Sequence, residues 1–204
     1  MPRAGLTPAA VTEEAARLCD EEGFDQLSLS AVAKRCGVAV PSLYKHVGGL
    51  AALRREVAAA AAAEFAAVLG RAAIGRAGAD ALRAVAHAYR EYARTRPGCY
   101  AALQQAPRPA EDAQAAVVFY RAVEVLIPVV RGFGLADEVL IDVIRSLRSA
   151  LHGFVDLELR GGFGLPQSTD ASFESLVEAM VRMLRNWPQS AGPQQETGED
   201  GPGG

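Results

Sequence analysis

SLSAVAKRCGVAVPSLYKHV, residues Ser28 to Val47, holds the most specific local signal in this chain. Ser28 is a hydroxyl residue of the kind that caps a helix, and apolar residues follow it at helical spacing. Gly37 predicts the end of this helix, because glycine adopts the left-handed conformation at which one helix ends and another begins at a steep angle. A second helix is predicted from about Val40 to Val47, with Pro41 in its first turn. The stretch therefore predicts a helix-turn-helix.

The second predicted helix has a surface that packing inside the chain does not use. Leu43 and Val47 lie four residues apart and are predicted to face the first helix. The remaining surface is formed by Val40, Pro41, Ser42, Tyr44, Lys45 and His46. Lysine and serine side chains on such a surface can bind a base edge or a phosphate, and apolar ones can contact a thymine methyl group. Because few of these groups bind bases in a bidentate manner, DNA shape is expected to contribute to specificity.

The hydroxyl and aromatic residues of this region each have a second interpretation. Ser28 and Ser30 are helix-start residues first, and become candidate phosphate ligands because a helix N-terminus favours anions. Tyr44 and His46 are either ordinary surface aromatics or phosphate contacts. The sequence leaves these alternatives open.

Positive charge is concentrated around the same stretch. The chain has a net charge of −3, yet the five basic residues between Gln26 and Arg55 have no acidic residue among them, whereas six acids lie between Glu13 and Asp25. The basic residues are Lys34, Arg35, Lys45, Arg54 and Arg55. Attraction to phosphate is therefore expected to be local.

These motifs resemble the TetR family of bacterial transcriptional regulators. The segment LSLSAVAKRCGVAVPSLYKHVGGLAAL, Leu27 to Leu53, is similar to that family's DNA-binding segment, and the glycine-valine turn followed by Leu-Tyr-x-His is the most specific part. Ser149 to Pro166 and Ser172 to Met180 resemble the regulatory half of a subclass marked by a His-Gly pair. The family often has a phosphate-binding lysine at the position of Leu50, which leaves open whether Arg54 or Arg55 replaces it.

The resemblance implies an all-α homodimer with an N-terminal three-helix helix-turn-helix domain and a C-terminal helical domain for ligand binding and dimerisation. We expect residues 1–49 to form the first domain, residues 50–187 the second, and residues 188–204 a disordered acidic tail without large apolar residues. The implied function is a repressor that binds a palindromic operator in double-stranded DNA and is released by a small apolar or amphipathic molecule.

Composition excludes several other classes of protein. Half of the 204 residues are hydrophobic, which is ample for a core. No apolar run is long enough to cross a membrane and no export signal begins the sequence, so we expect a cytoplasmic protein without membrane contact. The three cysteines, Cys19, Cys36 and Cys99, show no CxxC spacing and are expected to be reduced thiols.

The C-terminal half suggests a dimer interface and a candidate pocket. The last two predicted helices carry Val143, Val155, Leu157, Leu159, Val177 and Leu184 beside their main apolar stripes, and a four-helix contact between two copies would bury them. Candidate ligand contacts are Tyr89, Tyr92, Tyr100, Phe119, Tyr120, Leu147, Leu151 and His152, although aromatic residues at helical spacing are also typical of plain core.

Neither an enzyme nor a metal site is expected. The sequence has no GxSxG, HExxH or phosphate-binding glycine motif, and the glycine-rich residues 161–164 follow a predicted helix as a loop. The three histidines are dispersed, so no metal or other cofactor is expected. Two alternatives to the DNA-binding interpretation are a small-molecule enzyme and a helical adaptor that binds only protein, which would not need the basic segment.

Overall fold

The computed structural model describes residues 6–105 and 113–188, and among these the side chains of residues 113–119 are not described. All the regular structure in these ranges is helical, as predicted. The α-helices are α1 (Pro8–Glu22), α2 (Leu29–Cys36), α3 (Val40–Leu43), α4 (Leu50–Ala73), α5 (Gly78–Thr95), α6 (Pro97–Gln104), α7 (Ala113–Arg131), α8 (Leu140–Leu159) and α9 (Thr169–Arg185). The predicted acidic tail, apart from its first residue Pro188, lies outside the described residues.

Local sequence signals determine the ends of the first two helices. The Thr7 hydroxyl accepts a hydrogen bond from the backbone N–H of Ala10 at 3.1 Å, and α1 ends before Gly23. The Ser28 hydroxyl accepts from the N–H of Ala31 at 3.3 Å. Gly37 has the left-handed conformation, with φ 67° and ψ 33°, that the turn requires. The predicted helix-turn-helix is confirmed.

Helix α3, the second helix of the helix-turn-helix, is shorter than predicted. It ends at Leu43 instead of Val47, and Tyr44, Lys45 and His46 form a turn. The N–H groups of His46 and Val47 both bond to the Leu43 carbonyl oxygen, at 2.8 and 2.9 Å. This sharing tightens the last turn, a common way for a helix to end. Leu43 and Val47 are both buried, as their spacing predicts.

A small core stabilises the corner between α2 and α3. The inner stripe of α1 is buried against apolar residues of the turn that follows it and of α2 and α3. Its members are Val11, Ala15, Leu18, Cys19, Phe24, Leu27, Val32 and Leu43. Burying such side chains contributes on the order of 1.5–3 kcal/mol each for the larger ones, so α1 stabilises the corner between α2 and α3.

Two helices in the C-terminal part continue through a glycine or a proline. Helix α4 continues through Gly70 to Ala73, and the break before α5 lies at residues 74–77. Pro128 does not shorten α7, which extends to Arg131. The N–H of Gly132 bonds to the Pro128 carbonyl at 3.1 Å, so the backbone hydrogen bonding resumes after the proline.

Three contacts between a basic and an acidic side chain, one per helical turn, join α5 to α9. Arg83 contacts Glu178 at 2.6 Å, His87 contacts Glu174 at 3.3 Å and Arg90 contacts Asp170 at 2.7 Å. Arg90 is 7% exposed, also pairs with Glu158 of α8 at 2.8 Å, and lies over the ring of Phe173 at 4.7 Å. These contacts orient α9 on the rest of the domain.

Less apolar surface remains free on α8 and α9 than the sequence suggested. Val143, Val155, Val177 and Leu184 are all buried within the chain, so the prediction that they need a second copy is wrong. Helix α8 packs on α5, α7 and α9, and helix α9 packs on α5 and α8. Exposed apolar side chains remain near the end of α8 and in the following loop, namely Leu157, Leu159, Phe163 and Leu165.

In the described part of the chain, no helix combines the length and the hydropathy needed to span a membrane.

Candidate DNA-binding surface and regulatory core

The turn after α3 presents the candidate DNA contacts on an exposed surface. Tyr44 is 60% exposed, and Pro41 and Lys45 are also exposed. Val40, Ser42 and His46 are half-buried. Ser28 and Ser30 lie at the start of α2 with their hydroxyls 3.2 Å apart. The Ser28 hydroxyl also caps α2, so its first role is structural.

Two of the basic residues expected to attract phosphate are engaged within the chain. Both terminal nitrogens of Arg35 bond to Glu21 of α1, at 2.6 and 3.0 Å, and its Nε bonds to Glu14 at 3.5 Å. The hydrogen bond from Arg35 lowers the pKa of the Glu21 carboxyl. Arg54 lies over the Phe24 ring at 5.1 Å and donates to a backbone carbonyl at 3.3 Å. Lys34 and Lys45 form no ion pair in the described part of the chain, so the positive surface is narrower than the sequence predicted.

A buried polar chain connects three of the predicted ligand contacts. The hydroxyls of Tyr89 and Tyr100 are 2.9 Å apart, and the Tyr100 hydroxyl is 2.7 Å from Nδ1 of His152. Burial raises the pKa of both tyrosines and lowers that of His152. All three groups are therefore neutral near pH 7. These hydrogen bonds, with ring contacts between the same residues, join α5, α6 and α8.

The other predicted ligand contacts are distributed over the domain. Leu147 and Leu151 are buried on α8. The Tyr92 hydroxyl donates to the Ala61 carbonyl of α4 at 3.2 Å, away from the His152 end of the chain. Tyr120 is 54% exposed in a groove between α4 and α7, and the side chain of Phe119 lies outside the described residues. The structure therefore brings together Tyr89, Tyr100 and His152, but not the whole predicted set.

Helix α6 also contacts α1 in the N-terminal part, a joint that we did not predict from the sequence. The Asp20 carboxylate of α1 accepts from the backbone N–H of Cys99 at 2.9 Å and from Nε of Arg96 at 2.6 Å. Arg96 pairs in turn with Glu64 of α4 at 2.5 Å. Gly98 lies directly on the backbone of α1, since a Cβ at this position would be 2.0 Å from the carbonyl carbon and oxygen of Cys19.

A sequence signal for this joint existed in Pro97-Gly98. The proline begins α6, and the glycine permits a close helix contact. Two buried thiols, Cys19 and Cys99, lie at the joint. Burial raises their pKa values to about 12 and about 11, so both are protonated and weak nucleophiles near pH 7.

Comparison with known proteins agrees with this arrangement of surface and core. Residues 11–57 match the model for bacterial regulatory proteins of the tetR family, and residues 82–180 match that for a tetracyclin repressor-like C-terminal domain. The HTH-type transcriptional regulator Rv0681 of Mycobacterium tuberculosis, itself uncharacterised, is 36% identical over 85% of this chain and 79% of its own. The chain belongs to the TetR family.

Other TetR-type proteins share its sequence or its fold. The uncharacterised HTH-type regulator YobS of Bacillus subtilis is 34% identical over 79% of this chain and 84% of its own. The TetR family protein ActR of Streptomyces coelicolor, in complex with (S)-DNPA, superposes with a TM-score of 0.60. It is 20% identical over 89% of this chain and 98% of its own, which establishes a common fold. This TetR family member is therefore a DNA-binding transcriptional regulator, with its DNA-binding domain at the N-terminus.

Proposed function

We propose that this regulator is a homodimeric repressor, which binds a palindromic operator and is released when a small apolar or amphipathic molecule enters its C-terminal domain. The observation that carries the proposal is the position of α6. One side of this short helix packs on α1 through Gly98, and Tyr100 on the same helix joins the polar chain that ends at His152. A change in the regulatory core is thereby connected to the DNA-binding helices.

The DNA contacts are assigned to the recognition turn and to the start of α2. Val40, Pro41, Ser42, Tyr44, Lys45 and His46 would enter the major groove, with Ser28 and Ser30 against phosphate. The exposure of Tyr44 and Lys45 supports this assignment, as does the absence of an ion pair on Lys45 within the described residues. Phosphate contacts fix the orientation, and contacts to base edges provide the specificity.

The dimer is assigned to the exposed faces of α8 and α9. Leu157 and Leu159 are 49% and 40% exposed, and the ion pairs to α5 hold α9 in one orientation beside them. Two recognition helices must lie about 34 Å apart to enter successive major grooves on one side of DNA. A rigid two-fold contact between the last two helices would fix that separation.

Release requires a ligand that prefers the form with incorrectly spaced recognition helices. A hundredfold loss of DNA affinity corresponds to about 2.7 kcal/mol of preference between the two forms. A ligand that displaces the Tyr100 hydroxyl from His152 would move α6. Because Asp20 holds the N-terminus of α6, α1 would move with it.

A titration with DNA tests the proposal. Duplex DNA from the region upstream of the protein's own gene is titrated by fluorescence anisotropy at several salt concentrations. Lys45→Ala is expected to lower the salt slope by about one if Lys45 binds phosphate. If Lys45 binds a base, the loss is confined to the operator and random DNA is unaffected. If the wild-type protein shows no binding to duplex DNA in dilute buffer, the proposal is contradicted and a protein-binding adaptor is favoured.

The dimer is tested separately by sedimentation equilibrium. Leu157→Glu places a charge on the proposed interface and is expected to shift the protein toward the monomer. Ile74→Glu is a matched control, because Ile74 is 72% exposed in the turn between α4 and α5. Equal effects of the two substitutions would contradict an interface at the end of α8.

A further inference from the structure

A cleft of about 660 Å³ lies where the DNA-binding helices meet the regulatory helices. Its walls come from four places in the chain: α1 between Pro8 and Ala16, the turn at residues 46–48, the face of α4 between Ala52 and Glu64, and Arg96 before α6. This cleft is separate from the polar chain of Tyr89, Tyr100 and His152. Its volume falls within the range of small-molecule sites.

Short apolar side chains leave room in the cleft. Ala9 and Ala16 of α1 line it together with Ala52, Ala59 and Ala60 of α4. Methyl groups on both sides make a surface suited to a flat or slender hydrocarbon body. Burying such a body is favourable in proportion to its apolar area, at roughly 25 cal/mol per Å².

The charged groups of the cleft determine which sign of charge a ligand should carry. Three carboxylates line it, from Glu13, Glu56 and Glu64, against one guanidinium, from Arg96. Glu64 is paired with Arg96, and Glu13 with Arg17. Glu56 alone among these charged residues makes no ion pair or hydrogen bond within the described part of the chain. One negative charge beside an apolar surface therefore remains uncompensated.

We infer that this cleft is a second small-molecule site, and that it takes an organic cation with one ammonium or amidinium group on a short apolar body. The cation pairs with Glu56 and the body lies between the alanines of α1 and α4. A molecule there touches α1, α4 and the turn at His46 together, so it is placed to alter the orientation of the recognition turn. This role goes beyond the proposed release by a ligand in the C-terminal domain and does not depend on it.

Benzylammonium is a suitable probe, with benzyl alcohol as its uncharged counterpart of similar shape. The full-length protein is labelled with ¹³C at alanine methyl groups and titrated at pH 7.5. Saturable shifts are expected at the methyl groups of Ala16, Ala52 and Ala59, with no shift at the buried Ala86 of α5. The alcohol is expected to cause much smaller shifts.

Substitution at Glu56 separates this site from general attraction to an acidic protein. Glu56→Gln is expected to weaken benzylammonium binding about fivefold, the upper range for an ion pair in contact with solvent. Glu91→Gln removes an exposed acid from α5 and is expected to leave binding unchanged. Circular dichroism confirms that both variants remain folded.

Three results would overturn the inference. One is the absence of saturable shifts at the cleft methyl groups up to about 10 mM probe, far above the concentrations at which a specific site fills. Another is equal binding of benzyl alcohol. The third is unchanged affinity in Glu56→Gln. None of these results depends on whether the protein binds an operator, so failure here is distinguishable from failure of the proposed function.

Discussion

Gly98 is the position at which one added methyl group has the most defined consequence. A Cβ there would lie 2.0 Å from the Cys19 carbonyl carbon and oxygen and 2.5 Å from the Asp20 nitrogen, all of them backbone atoms. Ordinary contact begins near 3.4 Å, so α6 must move away from α1 by more than 1 Å in Gly98→Ala. No flexible side chain can relieve this contact.

The free-energy change follows from three contributions. Overpacking of this kind costs about 1–3 kcal/mol. Displacement of α6 also weakens the bond from the Cys99 N–H to Asp20, and loss of a helix cap costs about 1 kcal/mol. The better helix propensity of alanine offsets at most about 1 kcal/mol of this destabilisation. We expect Gly98→Ala to destabilise the protein by about 2 kcal/mol.

Urea unfolding followed by circular dichroism measures this change at fixed protein concentration. With a slope of roughly 2 kcal/mol per M, the midpoint is expected to fall by about 1 M. Gly70→Ala is the matched control, because its Cβ meets only a Val125 methyl at 3.9 Å inside α4. The control should gain about 0.5–1 kcal/mol from helix propensity. If Gly98→Ala is as stable as wild type, the close packing of α6 on α1 is refuted.

Three further predictions concern ionisable groups. The hydrogen bond from Arg90 lowers the pKa of Glu158. The stability that this ion pair contributes is therefore complete above the ordinary pKa of 4.5 and is lost as pH falls through the pKa of the folded state. We expect Glu158→Gln to cost about 2 kcal/mol of unfolding free energy at pH 7, and much less near pH 3, in urea unfolding. Burial lowers the pKa of His152 from 6.5, so an NMR titration should give a value below 6.5, and a higher one would contradict its burial beside Tyr100. Because Arg35 is already paired, Arg35→Ala should leave the salt slope of DNA binding unchanged, unlike Lys45→Ala; an equal fall in both would show that Arg35 binds DNA.

The N-terminal part could be predicted closely from the sequence because its signals are local. Thr7, Ser28 and Gly37 act through hydrogen bonds and backbone angles within four residues of themselves, so the sequence contains all the partners. The end of α3 was missed because helix propensity continues through Tyr44, whereas the bonds to the Leu43 carbonyl end the helix earlier.

Contacts between distant segments could not be predicted in the same way. Arg35 was counted as free positive charge, but its partner Glu21 lies on another helix. Val143 and Val177 were assigned to a dimer because a single helix pattern does not show how many neighbours cover it. The joint of Asp20, Arg96 and Glu64 joins three helices and has no periodicity that a sequence could display.

The ion pairs between α5 and α9 have a consequence for the alignment of these two helices. Sliding α9 by one turn would bring Glu174 to Arg83 and Asp170 to His87, so two of the three pairs could re-form. Arg90 would then face Pro166 in place of a carboxylate and would lose one of its two acidic partners. Because Arg90 is nearly buried, losing a carboxylate partner costs more there than at the more exposed Arg83 and His87. The Arg90 guanidinium thus disfavours this offset, which would change how far the last helix projects toward a neighbouring molecule.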